Sequence, residues 1–275
     1  MSSPETGRVT VENGIVFGTG GGRDLRCDVY TPPGAPKDAP GVLLVHGGGW
    51  SGGDRSQLKG YGILLGRLGY VCVASEYRLS GESKWPAQIH DTKAALRWMR
   101  VNSSKLGVDP HRIAVEGNSA GAHLSLMVAG TPNVPEFEGD GGNAGVDTSI
   151  AAAIAIYAPT DFGDGPLGGA IEMLMGKGAS RDAVRGASPV THVSASFPPT
   201  LLIHGNKDEI VPVDASLNMY AKLARASVPA ELHVYAEQPH AFDSHPLFGR
   251  QCAAVMDLFL KRYIGADRLA ATAAV

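Results

Sequence analysis

Apolar residues follow two different rhythms along this chain. Near its start, VENGIVFG and LRCDVY alternate apolar and polar positions on either side of the glycine-rich GTGGGR. That alternation around a turn predicts a β-hairpin. The breaker-rich TPPGAPKDAP follows as a loop, and beyond it the pattern changes. GVLLVH is a continuous apolar run and YVCVASEY a second buried one, the texture of strands buried on both faces of a parallel sheet; RIAVEG, AAAIAIYA, TLLIHG and ELHVYA are further short strands. Helical spacing separates them: Gln57 to Leu68, then AQIHDTKAALRWMRVNSSKLG with Ile89, Ala94, Leu96 and Met99 in phase and a stop at Gly107. Ala120 to Ala129, DASLNMYAKLARAS and the closing FGRQCAAVMDLFLKRYI are the other helices. Strands alternating with helices predict one α/β domain over 1–275, with a doubly wound, mostly parallel sheet and an antiparallel N-terminal hairpin at its edge. An alanine-rich tail over 265–275 is expected to fray.

Composition narrows the function classes. With 44% hydrophobic and 19% charged residues the chain reads as an ordinary soluble domain. A net charge of −3 leaves no electrostatic footprint for a nucleic-acid partner. No apolar run reaches the roughly 20 residues needed to cross a bilayer. The opening MSSPETGRVT is not followed by an apolar stretch, so a cytoplasmic location is expected; a secreted protein whose leader had been removed would read the same way. Cys27, Cys72 and Cys252 are widely spaced and fit neither a disulfide framework nor a metal site. Cys27 and Cys72 sit in strand text, where cysteine is a small core residue.

The candidate chemistry begins at GNSAG, residues 117–121. With 36 glycines in the chain, chance alone supplies about 0.3 GxSxG matches, so context must decide. GNSAG lies between the strand RIAVEG and the helix AGAHLSLMVAG, the strand–turn–helix setting of a nucleophile elbow. Ser119 is therefore the candidate nucleophile, held at a helix N-terminus by a turn too tight for side chains at Gly117 and Gly121. Upstream, HGGGW follows the buried strand GVLLVH, at the strand end where open α/β sheets bind ligands. Glycine there lets amide groups approach a ligand closely. The N–H groups of Gly48 and Gly49, with that of Ala120, are the candidate oxyanion donors. His46 is expected to tie the loop rather than to react.

A base and an acid should follow the serine in the order Ser, Asp or Glu, His. His240, in EQPHAF after the last strand, is the candidate base. His245 is the runner-up, and His233 lies inside a strand. Asp208, in HGNKDEIVP, is the candidate acid that would hold the imidazole tautomer; Glu209 and Asp161 are the alternatives. Trp50 and Phe242, beside the oxyanion loop and the base, are candidate pocket walls. His90 and Asp91 read as solvated or structural. Leu167, Ile171, Leu174 and Met175, within the small-residue stretch 162–198, predict a short amphipathic helix that either covers the site as a partial lid or packs on the core.

HGGGW, EYRL, GNSAGAH, HGNKDEIVP and HAF together resemble serine esterases of the hormone-sensitive-lipase-like α/β-hydrolases. The likeness is nearest to the small bacterial carboxylesterase, acetyl-xylan and feruloyl esterase branch, and runs from about residue 25 to 262. The resemblance implies an α/β-hydrolase fold and carboxylic ester hydrolysis without metal or organic cofactor. It also implies roles for Ser119, Asp208, His240, Gly48, Gly49 and Ala120. Its partner is a small-molecule ester, acylated sugars included; a homodimer leaves no compositional signal either way. Three departures stand out. Only 45 residues precede HGGG, too few for the large N-terminal cap of the bigger relatives, so an open cleft suited to small esters is expected. Asn118 replaces the usual acid before the nucleophile, and Ala122 a common glycine. Glu76 replaces the usual aspartate of the EYRL segment. An arylformamidase, a lactonase or a small peptidase would use the same machinery, and a non-catalytic ligand-binding protein would use the same fold.

Overall fold

Four consecutive residues show how the sheet is covered. Val42 and Leu44 join a buried cluster with Leu65, Met256 and Phe259. Leu43 and Val45 join another with Ile89, Leu96 and Leu124. Side chains of a strand alternate between faces, so each face of this apolar run meets a helix layer, and every fully buried Val or Leu contributes about 1.5–3 kcal/mol. The computed structural model describes residues 7–34, 37–163 and 168–265; Leu167 and the expected tail past 265 lie outside them.

The elements run β1 (Thr10–Gly20), β2 (Arg23–Thr31), β3 (Ala39–Val45), α1 (Lys59–Arg67), β4 (Val71–Ser75), α2 (Ala87–Val101), α3 (Ser103–Leu106), β5 (Val108–Asn118) and α4 (Ala120–Gly130). After these come β6 (Ala152–Ile156), α5 (Gly168–Met175), α6 (Arg181–Gly186), β7 (Thr200–Gly205), α7 (Asp214–Arg225), β8 (Ala230–Tyr235) and α8 (Pro246–Tyr263). The strands form one sheet in the order β1-β2-β4-β3-β5-β6-β7-β8. β2 pairs antiparallel with both β1 and β4, and the pairs from β4 to β8 are parallel. This is the doubly wound sheet with an antiparallel hairpin edge that the sequence pattern predicts.

One detail differs from that pattern. The helix expected to run on to Gly107 breaks after Val101: the Asn102 side chain donates to the Trp98 carbonyl at 2.9 Å and α3 starts afresh. Such local side-chain bonds compete with the helical ladder. Of the two readings of Asp91, solvated or structural, the second is the one found. Asp91 is fully buried and accepts from the Arg78 guanidinium through both oxygens, each at 2.8 Å. His90 bonds the Glu136 carbonyl at 2.9 Å.

Parallel pairing brings the carboxyl ends of β3, β5, β6 and β7 to one edge of the sheet. Val45 lies beside Gly117, Asn118 beside Ile156, and Ile156 beside Ile203. The loops that follow these strands carry HGGGW, GNSAG and HGNKDEIVP.

Candidate active site

β5 passes into α4 through Ser119, whose backbone sits at φ 53°, ψ −116°. A non-glycine residue held there costs roughly 1–3 kcal/mol. Neighbours enforce it: the Ser119 N–H donates to Ile156 at 2.9 Å, and its carbonyl accepts from the His123 N–H at 3.0 Å. The flanking glycines are obligatory on steric grounds. A Cβ on Gly117 would lie 2.3 Å from the Gly121 carbonyl, and one on Gly121 only 1.9 Å from the Val45 oxygen.

Ser119, His240 and Asp208 come together from three separate loops. His240 Nε2 is 3.0 Å from Ser119 Oγ, and its Nδ1 is 2.6 Å from Asp208 Oδ2. Asp208 is buried; its Oδ1 accepts the N–H groups of Ile210 and Val211 at 2.9 and 2.8 Å. Burial pushes this carboxyl up, but hydrogen bonds from His204, His240 and the Val211 amide prevail and hold it well below the usual carboxylate range. The alternatives lie elsewhere. Asp161 is exposed and binds its own turn at Gly163, Glu209 is exposed, and His245 caps α8 through the Leu247 N–H. His233 stays in β8 beside Glu231.

The glycine loop faces the same serine. Gly48 and Gly49 adopt φ 112° and 60°, and a Cβ on Gly48 would meet the Gly52 oxygen at 2.3 Å. Ser51 and Gly52 close the turn by donating to the Gly48 carbonyl at 3.1 and 3.0 Å. The N–H groups of Gly48, Gly49 and Ala120 have no acceptor among the described residues. His46 ties the loop: it stacks on Tyr77 at 4.2 Å, whose hydroxyl donates to the His46 carbonyl at 3.0 Å. Burial lowers its pKa.

Ser119, His240, Gly48 and Gly49 line a cleft of about 1020 Å³. Trp50 borders it but is only 2% exposed, with its indole N–H donated to His123 Nδ1 at 3.2 Å. Phe242 is not a wall of the cleft. Ala241 takes a left-handed conformation, φ 57°, which turns residues 241 and 243 toward the cleft and sends the Phe242 ring into the core against Tyr235 and Phe248. The helix α5 buries Ile171 and Leu174 and brings Ala170 to the cleft.

The family model BD-FAE matches residues 27–223. The chain belongs to the BD-FAE family. Among curated relatives, it is 36% identical over 239 residues to the probable carboxylic ester hydrolase LipM of Mycobacterium tuberculosis, covering 82% of this chain and 54% of LipM. It is 35% identical over 221 residues to esterase LipC of the same organism, covering 75% and 54%. This BD-FAE chain thus spans about half the length of the curated relatives it matches. Solved structures with its α/β-hydrolase fold include a truncated carbohydrate esterase from gut microbiota, with a TM-score of 0.85, 24% identity and coverage of 94% and 98%. Another is the Thermogutta terrifontis esterase Est2, with a TM-score of 0.81, 23% identity and coverage of 96% of both chains.

Several residues around the BD-FAE site are absent from the sequence reading. Asp243 accepts three hydrogen bonds at once, from Tyr61 at 2.6 Å, Asn118 at 2.7 Å and Tyr157 at 2.5 Å. It thereby ties α1, the elbow and the end of β6 to the loop that carries His240, whose ring lies 4.5 Å from that of Tyr157. Asn118, where the family resemblance anticipates an acid, thus faces an acid instead. His204 is buried between Ser216 and the Val211 carbonyl, each at 2.8 Å, with Asp208 at 3.3 Å. His123 links Trp50 to the Ala187 carbonyl at 2.7 Å; burial lowers its pKa to about 4, so it is neutral. Glu76 bridges Arg23 and Arg55 at 2.7 and 2.9 Å and does not line the cleft. Of these, the sequence marks only Asn118 before the nucleophile and Glu76 in EYRL.

Proposed function

We propose that this chain is a serine carboxylesterase, acting on small carboxylic esters (short-acyl, aryl or sugar esters) through an acyl-enzyme. The observation that carries the reading is the continuous Ser119–His240–Asp208 hydrogen-bond relay at 3.0 and 2.6 Å, set beside amide groups with no other partner among the described residues. The names of LipM and LipC support the reaction class.

In this mechanism His240 Nε2 takes the Ser119 proton as Oγ bonds to the ester carbonyl carbon, and the carbonyl electron pair moves onto oxygen. The amides of Gly48, Gly49 and Ala120 stabilise that oxyanion, a contribution worth several kcal/mol of barrier. Collapse expels the alcohol, protonated by His240, and leaves the acyl group on Ser119. Water, deprotonated by His240, then attacks the acyl carbonyl; the acid leaves and Ser119 regains its proton. Asp208 stays ionised throughout, fixing the imidazole tautomer and stabilising its cationic form. Hydrolysis of 4-nitrophenyl acetate tests the reading. Wild type should turn it over and a folded Ser119→Ala variant should lose nearly all the rate; a variant with most of the rate would remove Ser119 from the reaction.

A further inference from the structure

The cleft does not end at the serine. It extends between α1 and α8, with Gly60, Ile63, Leu64 and Arg67 along one wall and Gly249 and Arg250 on the other. Spacings of three, four and seven residues put the α1 set on a single helix face. A second cavity of about 330 Å³ continues the groove and borders the same Leu64, Arg67 and Arg250. The space beside Gly60 is open, since a Cβ there would meet nothing within 4 Å. From Gly60 to Arg67 the helix advances about 10 Å.

Charge along this groove is unbalanced. Its two carboxylates are already used by the protein: Asp243 by Tyr61, Asn118 and Tyr157, and Asp257 by Tyr70 at 3.0 Å and Lys261 at 2.6 Å. Arg67 and Arg250 are exposed, and neither forms an ion pair with any described residue. An apolar passage leading from a nucleophile to two guanidinium groups without an ion-pair partner among the described residues has a defined complement. It fits an aliphatic arm ending in an anion that accepts planar N–H donors, as a carboxylate does.

Building on the esterase reading, we propose that the preferred substrate is an ester whose groove-bound arm ends in a carboxylate held by Arg67 and Arg250. The aliphatic part of the arm lies against Ile63 and Leu64. The two arginines set specificity and take no part in bond making.

The test pairs anionic and neutral esters of equal length at low salt, followed by proton release in a pH-stat. Monomethyl adipate and monomethyl suberate are set against methyl hexanoate and methyl octanoate for the acyl arm. Acetylated 6-hydroxyhexanoate is set against hexyl acetate for the alcohol arm. In one of the two series kcat/KM should favour the anionic ester by about tenfold, the scale of a charge-assisted pair at an exposed site. That preference should shrink as salt rises, collapse toward unity in Arg67→Gln/Arg250→Gln, and recover in part in Arg67→Lys/Arg250→Lys. Wild type that hydrolyses the neutral esters with no anionic preference in either series overturns this proposal and leaves the esterase reading standing. A preference that survives in the glutamine double variant overturns it as well. Hydrolysis of none of the esters would sink the esterase reading and this proposal together.

Discussion

Gly121→Ala puts the elbow under a load that the structure measures. The new Cβ would lie 1.9 Å from the Val45 oxygen and 2.6 Å from the His46 oxygen, against an ordinary contact of 3.4 Å or more. Both oxygens belong to backbone at the end of the central strand β3, so no rotamer change relieves the clash. The N-terminus of α4 must instead retreat by about 1.5 Å, carrying Ser119 and the Ala120 amide with it. Misplacement on the 1 Å scale costs about 10²-fold in rate, and overpacking costs about 1–3 kcal/mol of stability. We therefore expect kcat/KM for 4-nitrophenyl acetate to fall about 100-fold and Tm to fall by several degrees. Activity should be measured well below the variant's Tm, with circular dichroism confirming the fold. Gly186→Ala is the matched control, because a Cβ there meets nothing within 4 Å; it should leave both quantities near wild type. A Gly121→Ala protein that matches this control in rate and Tm would refute the steric account of the elbow.

Two further outcomes follow from the groups around the serine. Asn118→Asp sets two carboxylates face to face, and Asp243→Asn removes the charge and turns one of the two oxygens that three donors use into an NH2 donor; each alone should lower kcat, and Asn118→Asp/Asp243→Asn should recover much of the loss by reversing the bond. Its coupling energy should be on the order of 1.5–3 kcal/mol, as for a charged hydrogen bond, and a strictly additive cycle would remove Asp243 from the positioning of the His240 loop. Glu116 is fully buried with neither carboxyl oxygen bonded among the described residues; burial first, and then the charge of Asp243, raise its pKa well above the ordinary value. The native state therefore keeps a proton that the unfolded chain gives up near pH 4.3, so this group's contribution to stability falls as pH rises above that point. Glu116→Gln should match wild type in Tm near pH 4 and exceed it increasingly toward pH 8, whereas a constant offset across that range would contradict the assignment.

The central strands were legible because they are buried on both faces, which turns them into short unbroken apolar runs such as GVLLVH or AAAIAI, and the more exposed edge hairpin was legible from its alternation. The elbow was legible because sterics force glycine at fixed spacing around one serine. The Asp243 cluster was not, since Tyr61, Asn118, Tyr157 and Asp243 meet only once four elements have folded together, and no local pattern links them. His204 and His123 escaped for the same reason: a buried histidine satisfied by serine, tryptophan or carbonyl partners looks like any strand or helix residue. Phe242 was misjudged because adjacency to His240 in sequence says nothing about direction, and a left-handed Ala241 turns the ring inward. The break between α2 and α3 depends on one asparagine side chain bonding back to Trp98, a choice that periodicity does not register.

The central claim is that one hydroxyl, at Ser119, is activated by the imidazole and carboxylate behind it. Its most direct measurement is peptide-resolved mass spectrometry after titration with a small organophosphate, alongside residual ester hydrolysis. The account predicts a single modified site on Ser119, with activity falling in proportion and reaching zero at one equivalent. Full occupancy of Ser119 with hydrolysis intact, or inactivation that tracks a label on another residue, would contradict it.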